Sequence, residues 1–345
     1  MHAVGYNWLQ SNAQSAQRLS KQIASFMAYY KSKGLMCERV ILVTHSMGGL
    51  VARYYSQCTG GAETVLGVVH GVMPATGSAT AYKRVKTGSE MPTGFVLGAD
   101  AAQMTAVFAQ SPGPLQLLPS PEYGMNWLQI RDGSKVVSLP ASDPYSQVYT
   151  ARGEWWSLCD DKLVNPLDGS KKAIEADWSS FEQLINQDVL SFHLALSGKD
   201  KTGEYHNNTY AFYGDDAAHS TWGDVVWERT RTAVSQIFGK YKAIDDMAVG
   251  AVKRDGGTGS QTLLQESEGV PITTKFSLRS ANENGDGTVP IRSGRIANKN
   301  VKACVAYSNV DHEGAYKNLP QQLFALWAVT KIAYEVRNTP MAYNA

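Results

Sequence analysis

Ser46 stands where an apolar run gives way to a helical pattern, and a serine at such a junction can act as a nucleophile. Residues 39–44 form a short, β-branched run typical of a buried parallel strand, and a helix is predicted from about Ser46 to Cys58. A sharp strand-to-helix turn lifts a serine hydroxyl clear of the sheet if the residues two positions to either side are small. Thr44 and Gly48 meet that requirement, although Thr44 replaces the more usual glycine.

This pattern predicts that Ser46 is a catalytic nucleophile, the alternative being an ordinary structural turn. The next residue, Met47, opens the predicted helix, where backbone N–H groups have no partner within the helix. We therefore predict that the Met47 N–H binds the oxyanion that forms when Ser46 attacks a carbonyl group.

A serine hydroxyl is a weak nucleophile and needs a base, itself held by a carboxylate. When a strand–serine–helix turn carries the nucleophile, the order along the chain is serine, acid, histidine. Of the seven histidines, His312 follows the last predicted strand and precedes the final predicted helix, which makes it the candidate base. His45 and His70 flank predicted strands and are interpreted as packed residues or as neighbours of the oxyanion site.

Two loops offer a carboxylate for the triad. Asp286 stands in Gly-Asp-Gly-Thr-Val-Pro, a tight loop whose glycines can aim a carboxylate without a side-chain clash. Asp215 and Asp216 follow directly after the predicted strand that ends at Tyr213, which is another usual place for the acid. We favour Asp286, and Asp216 remains the alternative.

The elements around these residues predict an α/β fold with a parallel central sheet. A Gly-, Pro- and Ser-rich stretch from about 71 to 200 interrupts the alternation and is predicted to be a lid-like insertion, and a loop-rich stretch includes residues 255–260. The predicted domains are 1–77, the first part of the core with the nucleophile; 78–205, the lid; and 206–345, the second part with acid and base. The predicted strands are 2–6, 39–44, 64–69, 208–213 and 301–307, and the predicted helices are 13–30, 46–58, 178–196 and 319–336.

Composition excludes several classes of partner. With 32 Lys+Arg against 31 Asp+Glu the net charge is +1, so no overall field attracts nucleic acid. The residues as given show no signal-peptide pattern and no run of 18 apolar residues, and the four cysteines show no metal-ligand spacing. No cofactor or metal is predicted, because the acidic pairs at 215–216 and 245–246 do not match a known calcium loop. Localisation stays open between the cytoplasm and signal-independent export.

The insertion is rich in large apolar residues that could line an acyl pocket or form the insertion's own core, and the sequence leaves both readings open. They are Phe95, Phe108, Leu117, Leu118, Trp127, Trp155 and Trp156.

Several segments resemble the lecithin:cholesterol acyltransferase-like lipases and their bacterial relatives near the GPI-inositol deacylases. They are Gly5-Tyr-Asn-Trp8, Thr-His-Ser46-Met-Gly-Gly-Leu-Val-Ala-Arg53, His70-Gly-Val-Met-Pro-Ala-Thr-Gly77, Asn208-Thr-Tyr-Ala-Phe-Tyr-Gly214, and Gly-Asp286-Gly-Thr-Val-Pro290 followed by Asp-His312. The resemblance implies an α/β-hydrolase acting on a lipid or other acyl ester, with transient contact with a membrane surface. It also implies that Asp286, rather than Asp216, is the acid.

The same resemblance implies strands before residues 2–6 and a second oxyanion donor from a loop among them, whereas this chain begins after that loop. Either an N-terminal piece is missing or the sheet is smaller. Loss of one oxyanion donor costs roughly 100- to 1,000-fold in turnover. The expected function is therefore a serine ester hydrolase, whose turnover would be impaired if the N-terminal segment is missing. The alternatives are a catalytically silent interaction module and a bacterial lipase effector.

Overall fold

The computed structural model describes residues 1–90, 98–197, 204–230, 250–255, 259–267, 270–296 and 301–339. Its strands are β1 (Val40–His45), β2 (Val65–Gly71), β3 (Leu128–Asp132), β4 (Lys135–Leu139), β5 (Thr209–Gly214), β6 (Asp216–Thr221), β7 (Val225–Thr230), β8 (Ala251–Asp255), β9 (Ser260–Ser267), β10 (Val270–Leu278), β11 (Glu283–Gly285) and β12 (Ala303–Tyr307).

The helices fall around and between these strands, with short 3-10 turns at Gly61–Thr64 and Pro121–Tyr123 and π-helical turns at Tyr145–Tyr149 and Leu184–Val189. The α-helices are α1 (Asn12–Ser32), α2 (Met47–Cys58), α3 (Ala79–Thr87), α4 (Ala101–Phe108), α5 (Pro112–Leu115), α6 (Asp161–Val164), α7 (Lys171–Gln183), α8 (Leu190–Leu196), α9 (Ile291–Gly294) and α10 (Leu319–Tyr334).

A four-stranded parallel sheet in the order β1-β2-β5-β12 forms the centre of the fold. One side packs against α1 and α2 through a cluster that includes Leu19, Val51 and Val68. Another cluster, including Phe212 and Phe324, packs the sheet against α10. Because the strands are parallel, the loops that follow β1 and β12 meet at one edge, which brings Ser46 and His312 together. Asp286 joins them from the end of β11, which pairs with β6 directly after β5.

A second, six-stranded sheet in the order β4-β3-β7-β10-β9-β8 lies over a separate apolar core. Its strands pair antiparallel except β3 and β7, which are parallel. Trp155 stacks on Phe276 with ring centroids 5.0 Å apart and meets Trp227 edge to face at 5.7 Å. The loop-rich stretch that includes residues 255–260 was predicted too broadly, because β8 extends to Asp255 and β9 begins at Ser260, and both belong to this sheet. Residues 256–258 lie outside the described residues.

The predicted strand at residues 2–6 was also wrong. This segment runs along α1 instead: Arg18 Nε donates to the Gly5 carbonyl at 3.2 Å, and His2 stacks on Phe26 at 4.0 Å. A groove of about 420 Å³ lies between the segment and β1. In the described parts of the chain β1 forms backbone hydrogen bonds with β2 alone. Residues 2–6 therefore contact side chains of α1 and do not form the backbone hydrogen bonds of a strand with β1.

Candidate active site

Ser46 occupies the turn between β1 and α2 in a strained conformation, with φ +51° and ψ −128°. Such angles are costly for a residue with a Cβ and persist only where the surroundings enforce them. Here the Ser46 N–H donates to the Gly71 carbonyl at 2.9 Å, and close packing leaves no room beside the turn. A Cβ on Gly49 would lie 2.6 Å from Met73 Sδ.

His312 reaches Ser46 from the loop between β12 and α10. Its Nε2 atom lies 2.8 Å from Ser46 Oγ, and its side chain is mostly shielded from solvent. The His312 backbone N–H donates to the Asp286 carbonyl at 2.9 Å, and His45 Nε2 donates to the His312 carbonyl at 2.7 Å. Burial, the largest cause, lowers the pKa of His45, which favours its neutral form. The loop is therefore held by its backbone on two sides.

Asp286 is buried, with 1 % of its surface exposed, and its two carboxylate oxygens have separate partners. Oδ2 lies 2.9 Å from His312 Nδ1. Oδ1 accepts the backbone N–H groups of Thr288 at 2.9 Å and Val289 at 2.7 Å. Gly287, at φ +87°, turns the chain so that these N–H groups point back at the carboxylate.

The alternative acid does not contact His312. Asp216 Oδ2 instead lies 2.8 Å from His219 Nδ1 and accepts the Asn309 backbone N–H at 2.8 Å. Asp215 Oδ1 accepts a hydrogen bond from Asn284 Nδ2 at 2.9 Å. The structure thus brings Ser46, Asp286 and His312 into one chain of hydrogen bonds and leaves the 215–216 pair outside it.

Thr44, which stands where a glycine is more usual, has a side-chain hydrogen-bond partner on the neighbouring strand, β2. Its Oγ1 lies 2.9 Å from Nδ1 of the buried His70. Burial, and then the charge of Arg53, lowers the pKa of His70 to about 3, so that this imidazole is neutral. Tyr316 donates its hydroxyl proton to the Thr44 carbonyl at 2.8 Å and braces the same position.

Met47 is the first residue of α2, so its N–H belongs to the free N-terminal turn of that helix. That location agrees with an oxyanion donor beside Ser46, a role that remains a prediction. It also directs the positive end of the helix dipole at the site.

A cavity of about 110 Å³ opens beside Ser46. Of the large apolar residues singled out in the insertion, Phe108 and Leu117 line it, whereas Leu118, Trp127, Trp155 and Trp156 lie in the core cluster under the second sheet, and Phe95 lies outside the described residues. No pattern in the sequence identified Arg84, Thr288 or Val289 as lining residues. The described residues that line the cavity are Trp8, Ser46, Pro74, Ser78, Thr80, Ala81, Arg84, Phe108, Pro114, Leu117, Thr288 and Val289.

Asp245 and Asp246 lie outside the described residues. Within the part of the chain that is described, no group of three His, Cys, Asp or Glu side chains is arranged to hold a metal ion. No helix among the same residues has the length and apolar character needed to cross a membrane.

The parallel sheet, the strained turn at Ser46 and the order serine, acid, histidine define an α/β-hydrolase of the lipase-like class. The family model described as lecithin:cholesterol acyltransferase matches residues 1–314, and the chain belongs to that family. This membership supports action on a lipid ester.

One solved structure gives a matching result. A chain from the crystal structure of the Tle4–Tli4 complex is 33% identical, with a TM-score of 0.73, over 95% of this chain and 67% of that one. Phospholipase PlaB from Legionella pneumophila is 11% identical over 89% of this chain and 84% of that one, with a TM-score of 0.22 that is too low for a structural inference. No curated protein matched.

Proposed function

We propose that this protein is a serine-dependent carboxylic ester hydrolase that works through an acyl-enzyme. The observation that carries the proposal is the unbroken chain from Ser46 Oγ to His312 Nε2 at 2.8 Å and from His312 Nδ1 to Asp286 Oδ2 at 2.9 Å. Nucleophile, base and orienting carboxylate stand within hydrogen-bond reach of one another, as acyl transfer requires.

The geometry supports a defined sequence of proton transfers. Ser46 Oγ attacks the ester carbonyl carbon while His312 Nε2 takes the hydroxyl proton. The tetrahedral oxyanion accepts the Met47 N–H, and the proton on His312 passes to the departing alcohol, leaving an acyl group on Ser46. Water, deprotonated by His312, then attacks that acyl carbon, and His312 returns the proton to Ser46 Oγ as the carboxylic acid product leaves.

Asp286 orients His312 throughout this sequence. The two backbone N–H groups on Oδ1 hold the carboxylate in place, and Oδ2 accepts a hydrogen bond from His312 Nδ1. That contact keeps Nε2 as the acceptor facing Ser46 and stabilises the imidazolium when it forms.

The cavity beside Ser46 supports a lipid-like acyl ester as substrate. Its side chains are mainly apolar, with Trp8, Phe108 and Leu117 among them, and an apolar chain leaving water for such a surface gains about 0.8 kcal/mol for each buried CH₂ group. We propose that the acyl chain of the substrate occupies this cavity.

Labelling with a fluorophosphonate tests the proposal without knowledge of the substrate. We expect the wild-type chain to be labelled at Ser46 and labelling to be abolished in Ser46→Ala. Ser32→Ala is the matched control, because Ser32 Oγ donates to the Tyr29 carbonyl at the end of α1, away from the site. A wild-type chain that stays unlabelled would favour a catalytically silent interaction module.

We propose as a second function that this chain is a bacterial lipase effector that a partner protein binds. The 33% identity to a chain solved in the Tle4–Tli4 complex favours this proposal. Expression of the chain in a bacterial periplasm tests it, with toxicity that depends on Ser46 as the expected result and harmless expression of an active enzyme as the contrary one.

A further inference from the structure

Arg84 is the only charged side chain among the described residues that line the cavity beside Ser46. It lies on α3, and its side chain is about one-fifth exposed. A cation is out of place in a pocket that holds only an alkyl chain, since desolvating it costs free energy unless an anion approaches.

The guanidinium group is held in a fixed orientation. Its Nε donates to Glu90 Oε2 at 3.0 Å, and one terminal nitrogen, Nη2, donates to Thr288 Oγ1 at 3.2 Å. Thr288 belongs to the loop of Asp286, to whose Oδ1 it gives its backbone N–H. Arg84 therefore lies beside Asp286 with its side chain already held in one rotamer. Binding of a ligand would cost little further side-chain entropy there.

Glu90 does not neutralise this region, because it serves two cations. Its Oε1 accepts from Lys83 Nζ while Oε2 accepts from Arg84, so the three side chains carry a net charge of +1. Burial raises the pKa of Glu90, but Arg84 and Lys83 together lower it by more. The net pKa is below the ordinary value, so the carboxyl group stays ionised. Lys83 is itself buried and packs over the Trp222 ring at 4.7 Å, which leaves Arg84 as the cation that faces the cavity.

We propose that Arg84 binds an anionic group, a carboxylate or a phosphate, that is covalently part of the ester substrate. This inference rests on the proposed esterase function and adds a substrate class to it. Guanidinium groups recognise both anions with charge-assisted hydrogen bonds, and the fixed position next to the Asp286 loop would set which ester bond faces Ser46.

Two pairs of short esters, each differing in one charged group, test the proposal. The first pair is 4-nitrophenyl butyrate and mono-4-nitrophenyl glutarate, which places a carboxylate at the acyl end. The second pair is dibutyroylglycerol and dibutyroylglycerol phosphate, which places a phosphate on the alcohol side. The variants are Arg84→Gln and Arg84→Lys. The control is Arg39→Gln, which removes an equal charge just before β1, at the opposite end of that strand from Ser46.

We expect the wild type to prefer the charged member of one pair and Arg84→Gln to lower kcat/KM for that member by roughly 10- to 100-fold, the range of a charge-assisted hydrogen bond. The neutral member should lose far less, Arg84→Lys should retain part of the preference, and Arg39→Gln should match the wild type. The pair that responds identifies the anion as carboxylate or phosphate.

Equal losses on charged and neutral esters would overturn the proposal and make Arg84 a brace for the Asp286 loop. Absence of any preference in the wild type would overturn it as well, and fluorophosphonate labelling that persists at Ser46 would then leave the esterase function standing. Neither labelling nor turnover in the wild type would overturn both proposals.

Discussion

Asp216 and His219 form a second carboxylate–imidazole pair beside the one in the active site, with Oδ2 and Nδ1 2.8 Å apart. The pair lies on β6, and the His219 carbonyl accepts the Gly287 N–H at 2.7 Å, next to Asp286. Asp216 also accepts the backbone N–H of Asn309 in the loop that leads to His312. The Asp216–His219 pair thus links the loop of Asp286 to the loop of His312.

These contacts predict different losses for the two aspartates. Asp286→Asn should reduce kcat by about 10⁴-fold, because an amide no longer holds His312 in the working tautomer. Asp216→Asn should reduce kcat by about tenfold or less, since its oxygen can still accept the Asn309 N–H. Turnover of a soluble ester measures both values, and the reverse ranking would assign the role of acid to Asp216.

Replacement of Thr44 tests the support below the nucleophile. Thr44→Val keeps the shape but removes the hydroxyl partner of His70 Nδ1, leaving a buried polar atom unsatisfied. We expect the free energy of unfolding to fall by about 1–3 kcal/mol, measured by denaturant titration. Thr44→Ser keeps the hydroxyl and should lose clearly less; equal losses in both variants would show that the hydrogen bond contributes nothing.

The cavity predicts a dependence on acyl chain length that residue 117 controls. Leu117→Trp should fill the space beside Ser46 and lower kcat/KM for an octanoate ester by at least tenfold while sparing an acetate ester. The control is Leu194→Trp, at an exposed position on α8. A loss of the same size for acetate and octanoate would indicate general damage to the fold and contradict an acyl chain in this cavity.

Stability should fall in mildly acidic solution because two buried histidines stay neutral in the folded state. Burial, the largest cause for each, lowers the pKa of His70 to about 3 and of His193 to about 4, below the ordinary value of 6.5. Between the folded and ordinary values only the unfolded chain takes up these protons. The free energy of unfolding therefore decreases as pH falls through 6.5, by up to about 1.4 kcal/mol per pH unit for each histidine.

His193→Gln isolates one of the two contributions. His193 Nε2 donates to the Gln116 carbonyl at 3.0 Å, and Nδ1 lies 2.7 Å from the Tyr145 hydroxyl, so a glutamine amide can serve both partners. Denaturant titrations between pH 7.5 and 4.5 should show a shallower pH dependence in the variant. An unchanged slope would mean that His193 is protonated in the folded protein.

The chemistry of the candidate site was largely readable from local sequence. Ser46 follows a β-branched run and precedes a helix, Asp286 stands between two glycines, and His312 comes after the last strand of the central sheet, and each of these signals spans only a few residues. The fold class and most elements of the central sheet were predicted for the same reason, because hydrophobic periodicity reports local burial.

Part of the second sheet could not be read in this way, because on β9 residue type and burial disagree. The side chains of Gln261 and Gln265 are buried on the same face as Leu263, whereas that of Leu264 is 45 % exposed, so the apolar and polar residues do not alternate as the burial does. At residues 2–6 a strand was predicted where none forms. A short apolar run indicates that a segment packs against another element, but it does not show whether that element is a strand or a helix.

Only the tertiary structure shows which candidate acid contacts His312 and where Arg84 lies. Asp286 follows β11 and Asp216 is the first residue of β6, and the sequence, although it favours Asp286, does not show which of the two carboxylates contacts His312. The pairing of β6 with β11 directs Asp216 towards His219 and leaves Asp286 facing His312. Arg84 lies 38 residues from Ser46 and 204 from Thr288 in the chain, and their meeting at one cavity follows from long-range packing, which no local pattern encodes.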